Sequence, residues 1–99
     1  MTIIDGLNKS FENKIRLGIM SVLAANESMD FTALKSLLEV TDGNLASHIR
    51  HLEEAGYITC EKKFIGRKPN TNYIITEKGR TAFAEHISVL EIFLQNCKS

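Results

Sequence analysis

Apolar residues recur along this chain with two periods. Ile15, Ile19, Val22 and Leu23 stand at i, i+4, i+7 and i+8, one face of a helix, and predict a first helix over about 11–25. Leu17 and Met20 add apolar surface off that stripe. Asn26-Glu27-Ser28 is a polar break and Met29 a short extended link. Asp30 is placed to cap a second helix over about 31–39, with Phe31, Leu34, Leu37 and Leu38 as its core face. Thr41 stands at the N-cap of a third helix, 42–55, in which Leu45, Ile49 and Leu52 repeat at i, i+4 and i+7. Gly56 ends it, where a left-handed residue is wanted. The period then falls to two: Ile58, Cys60 and Phe64 alternate to one side, which makes Cys60 a small buried strand residue. The cluster Gly66-Arg67-Lys68-Pro69-Asn70 reads as a turn and 71–76 as a second strand, so the pair forms a hairpin. Thr76 caps a last helix over 77–96, with Glu77 complementing its dipole. Residues 3–9 fit either a short helical turn or an extended arm.

The third helix is two-faced. Opposite its apolar stripe, the first two turns carry Gly43, Asn44, Ser47, Arg50 and His51, with His48 on the flank. Two helices joined by about three residues, the second polar outside, form a helix-turn-helix. Such a helix can enter a DNA major groove; the alternative is an ordinary amphipathic surface helix. The last helix has more apolar surface than one small domain can cover. Phe83, Ile87, Leu90 and Leu94 run at heptad spacing, Ala82, Val89 and Phe93 form a second row, and Ile92 lies beside the first. The excess predicts a homodimer with an interface of Phe83, Ile87, Val89, Leu90, Phe93 and Leu94.

Composition narrows the class. The 99 residues, 43% apolar, suit one domain: a helix-turn-helix core over about 11–76 and a dimerisation helix over 77–96. No apolar run is long enough to span a membrane, and the N-terminus lacks the signal-peptide pattern. Cys60 and Cys97 make no disulfide framework, which suits a reducing cytoplasm. Net charge is zero, but its distribution is uneven. Residues 57–76 hold Lys62, Lys63, Arg67 and Lys68 against Glu61, a local balance of +3, whereas residues 27–56 balance at −4. A focused patch matters more to a polyanion than the total does. His48 and His51, at i and i+3, could share a zinc ion, but no third ligand stands near them, so no metal and no cofactor is expected. Their protonation near pH 6.5 would add positive charge and mildly strengthen binding to DNA. There is no nucleophile–base set, phosphate loop or carboxylate pair, so the chain is not expected to be an enzyme.

The order helix, helix, polar helix, hairpin, helix resembles the winged helix-turn-helix, an α+β fold that is mostly α with a small β-hairpin. The stretch Leu52-Glu53-Glu54-Ala55-Gly56-Tyr57-Ile58, the tip Gly66-Arg67-Lys68-Pro69 and the run from Tyr73 to Gly79 are similar to small transcriptional regulators of the MarR/ArsR-like superfamily. The resemblance covers about residues 10–95. It implies a homodimer, of repressor type, on double-stranded DNA. Asn44, Ser47 and His48 would face base edges, Arg50 and His51 would lie near phosphates, Arg67 and Lys68 would form the wing tip, and Lys62 and Lys63 its strand. Any small-molecule signal would have to bind at the dimer interface, because no effector domain is appended. The alternative from another class is a protein-interaction module whose basic wing is incidental and whose last helix docks a different protein.

Overall fold

Asn13 starts the first long helix. Its side chain accepts from the backbone N–H groups of Ile15 at 2.9 Å and Arg16 at 3.2 Å, and helix α1 runs Lys14–Ala25. Phe11, four residues before Ile15, continues the apolar rhythm without belonging to the helix. It ends a single turn of 3-10 helix, Lys9–Phe11, which Asn8 caps; an earlier 3-10 turn covers Ile3–Gly6. This computed structural model describes residues 3–66 and 68–96, apart from the side chains of residues 63–65, 68 and 69.

The remaining elements are β1 (Met29–Asp30), α2 (Phe31–Leu38), α3 (Asp42–Glu54), β2 (Ile58–Ile65), β3 (Lys68–Ile75) and α4 (Glu77–Asn96). The strands form an antiparallel sheet in the order β1-β3-β2. Met29, expected as a simple link, therefore pairs with Tyr73 as a third strand. Asp30 serves twice: its backbone pairs with Asn72, and its carboxylate accepts from Ala33 N–H at 2.7 Å to start α2. The hairpin ladder continues to Ile65 opposite Lys68, so the expected five-residue turn is shorter and Lys68, Pro69 and Asn70 belong to β3.

The core gathers Phe11, Ile19, Met20, Leu23, Leu34, Leu45, Ile49, Leu52 and Ile58, all at most 3% exposed. Helix α1 is its axis, touching α2, α3, β3 and α4. That central position buries Met20, which the stripe alone had left outside. Phe11 sits where the elements meet, with its ring centroid 5.2 Å from that of Tyr57, 5.7 Å from Phe83 and 5.4 Å from His86. Two expected core residues are outside. Leu37 is 59% exposed, because packing of the short α2 runs along Leu34 and Leu38. Cys60 is exposed although it follows Ile58 on the same side of β2. Ile58 rests on the helices; two residues on, the edge strand β2 is no longer covered although Tyr73 opposite Cys60 on β3 still packs on the core, so alternation no longer implies burial.

The molecule measures 57 × 26 × 20 Å, with a radius of gyration of 15.0 Å. A compact domain of this length would have about 13 Å. Hairpin and α4 account for the elongation, α4 alone being about 30 Å long.

Candidate nucleic-acid interface

Helix α3 is held by both ends and by one face. Thr41 Oγ1 accepts from Asn44 N–H at 3.2 Å. At the other end Gly56, at φ +81°, turns the chain so that Tyr57 N–H can donate back to Leu52 at 3.0 Å. Leu45, Ile49 and Leu52 lie in the core. Gly43, Asn44, Ser47, Arg50 and His51 are all exposed. A Cβ built on Gly43 meets nothing within 4 Å, so this face is open from its first turn. Asp42 brings an anion to the same end, but Lys35 on α2 pairs with it at 2.8 Å. The pair is exposed and adds little to stability; it does reduce the negative charge that a phosphate would meet.

His48 is placed differently from its neighbours. It is half-buried, and its Nδ1 lies 3.1 Å from Arg16 Nη1 on α1. Arg16 Nε also donates to the Ser10 carbonyl at 2.6 Å. Ser10 Oγ in turn lies 3.1 Å from His51 Nε2. A polar clasp thus ties the middle and last turns of α3 to α1 and the segment ahead of it. Partial burial first, then the Arg16 guanidinium, then His51 hold the His48 pKa below its ordinary 6.5. The positive charge that acid would add at His48 is thereby moved to lower pH. Among the described residues no group of three or more His, Cys, Asp or Glu side chains could hold a metal ion. Ser10 and Arg16 carry no sequence signal for this role, since the partners of Arg16 and Ser10 on α3 are 32 and 41 residues away.

In the hairpin, Lys62 is exposed on β2 opposite Thr71. Arg67 and the side chains of Lys63 and Lys68 lie outside the described residues, as does Cys97. The base of the hairpin is locked to α4. Thr76 N–H donates to the Tyr57 carbonyl at 2.9 Å, Thr76 Oγ1 donates to the Gly56 carbonyl at 2.6 Å, and it accepts from Gly79 N–H at 2.9 Å. Gly79 is buried against this junction, and any Cβ there would collide with the Tyr57 carbonyl.

Helix α4 leaves the core after His86. That ring, 4% exposed, accepts from Asn8 N–H through Nδ1 at 3.0 Å. Beyond it Ile87, Val89, Leu90 and Phe93 are half-buried, as is Phe83 before it, while Ile92 is 43% and Leu94 67% exposed. The Ile3–Gly6 turn packs on this helix, with Gly6 against Val89, and adds Ile3 and Ile4, at 40% and 66% exposed, to the apolar surface of that end. No described helix is long and apolar enough to cross a membrane.

A three-helix core with a polar, open third helix and a cationic β-hairpin beside it defines a winged helix-turn-helix. Residues 15–94 match the family model described as a winged helix DNA-binding domain, and the chain belongs to that family. It is 39% identical over 79 residues to an uncharacterized protein of Methanocaldococcus jannaschii, covering 80% of this chain and 86% of that one. The transcriptional regulator homologue from Pyrococcus horikoshii OT3 superposes with a TM-score of 0.87 at 31% identity, over 98% of this chain and 94% of that chain. MepR of S. aureus, solved as a DNA complex, shares the fold at a TM-score of 0.78 and 15% identity, over 94% of this chain and 76% of its own. The protein is thus a winged helix DNA-binding domain protein, similar over nearly its whole length to a protein described as a transcriptional regulator homologue.

Proposed function

We propose that the protein is a homodimeric repressor that reads a pseudo-palindromic DNA site, with α3 in the major groove and the β2–β3 wing on the backbone or in the minor groove. The observation that carries this reading is the open face of α3, where Gly43, Asn44, Ser47 and Arg50 are exposed directly behind the buried Leu45, Ile49 and Leu52. Asn44 can pair with adenine through two hydrogen bonds, and Ser47 can donate or accept. Glu53 and Glu54 at the far end of α3 repel phosphate, so its N-terminal end is the one inserted. Lys62, Lys63, Arg67 and Lys68 supply affinity that does not depend on sequence.

Pairing of two copies runs through Phe83, Ile87, Val89, Leu90, Phe93 and Leu94, joined by Ile3 and Ile4 of the N-terminal turn. It is supported by the exposed apolar end of the elongated protomer. A two-fold pair is also what a recognition helix with Arg50 as its one permanent cation needs to bind tightly. A small-molecule effector would take its site at this interface. On this reading the protein works in the cytoplasm, where the DNA is.

Gel shifts on duplexes selected from random sequence test the assignment. Asn44→Ala is expected to flatten sequence preference, by about 1–3 kcal/mol at one position, whereas Lys62→Ala weakens all sequences alike and lowers the salt slope by about 1. If neither variant changes binding, this surface does not read DNA. The zero net charge favours one rival, an interaction module that docks another protein through α4. A monomer not retained on heparin would support the rival; a retained dimer supports the repressor.

A further inference from the structure

All three histidines of the chain bond to one short segment: His86 to Asn8, His51 to Ser10, and His48 to Arg16. The last contact fixes a proton. A guanidinium has donors only and stays charged at any working pH. The His48 Nδ1, 3.1 Å from Arg16 Nη1, must therefore be the acceptor. An accepting Nδ1 requires a neutral ring with its one proton on Nε2. That nitrogen has no protein partner among the described residues, and it is not a buried unsatisfied atom, so it reaches solvent at the edge of the α3 face.

We propose that Arg16 is a positioning residue which holds His48 as the neutral Nε2–H tautomer, so that α3 offers an oriented donor to the acceptor edge of guanine rather than a cation to a phosphate. The base contact rests on the DNA reading above; the tautomer does not. Guanine presents N7 and O6, both acceptors, in the major groove, and the single N–H is assigned to N7. A second positive charge is disfavoured here first by the half-buried setting, then by Arg16 from α1 and by His51 one turn along α3. Arg16 is itself held by the Ser10 carbonyl at 2.6 Å, so the donor's direction is set by α1 and the turn before it. A residue that never touches DNA would in this way tune what the recognition helix reads.

The first test is long-range ¹⁵N–¹H NMR of the wild-type histidines between pH 6 and 8, without DNA. His48 is expected as the Nε2–H tautomer throughout; an Nδ1–H ring, or an imidazolium at pH 7, overturns the proposal. Arg16→Met should give mixed tautomers and an ordinary titration, and Arg16→Lys should keep the wild-type pattern. The second test uses a duplex selected by the wild-type protein. Replacing the contacted guanine by 7-deazaguanine should weaken wild-type binding by about 2- to 10-fold, the size of one neutral hydrogen bond, and leave His48→Ala unchanged. Equal binding of all guanine-replaced duplexes by the wild type overturns the base contact. If no duplex is enriched, the DNA reading fails instead, and NMR of the wild type still decides the tautomer even where the variants do not fold.

Discussion

Gly43 and Gly79 lack a side chain for opposite reasons. At Gly79 a methyl group has nowhere to go, because the Tyr57 carbonyl occupies its place and is itself bonded to Thr76. Gly79→Ala is expected to cost about 1–3 kcal/mol, the usual range for overpacking, seen as a lower melting temperature. At Gly43 a methyl meets open space, and alanine is the better helix former. Gly43→Ala should raise stability by up to about 1 kcal/mol while weakening DNA binding, because the added group stands where the groove would approach. A variant both stabler and fully competent in DNA binding would remove Gly43 from the contact surface. His86 gives stability a pH dependence. Burial chiefly, opposed by Glu12, lowers its pKa below 6.5. Above about pH 6.5 the ring is neutral in both states and the Asn8 bond contributes fully. As pH falls below that value the unfolded chain takes up the proton first, so stability drops. His48 has the same sign. Melting temperatures from pH 7.5 to 5.5 should decline in the wild type and decline less in His86→Gln.

At the scale of elements, one threonine joins α3 to α4. Thr76 caps α4 and bonds the end of α3 through the Gly56 carbonyl, while Lys78 Nζ adds a bond to the Ala55 carbonyl at 2.9 Å. Thr76→Ala is expected to cost about 1–2 kcal/mol by chemical denaturation, as cap removals do. The helices and hairpin were legible in the sequence because each rests on a local signal: Asp30, Thr41 and Thr76 at caps, Gly56 at a stop, apolar spacing between them. What was not legible depends on distant contacts. Met29 becomes a strand only because Tyr73 lies beside it, and Cys60 is exposed because β2 is the outer strand of the sheet and is not covered there. The exposed residues of α3 could be read from a helical wheel. The clasp of Ser10 and Arg16 could not, nor could the burial of His86 under the Asn8 turn, since no short-range pattern links them.

The whole molecule puts its open polar helix and its bare apolar tail on one elongated body. A single copy leaves Ile4 and Leu94 in water, and carries one polar α3 of modest charge. Two copies related by a two-fold axis remedy both, and would set their recognition helices about one turn of DNA, roughly 34 Å, apart. Selection of bound duplexes from a random pool, followed by sequencing, tests this most directly. Inverted half-sites enriched at a fixed spacing of about one helical turn are expected. Enrichment of a lone, unrepeated site, or no enrichment at all, would contradict it.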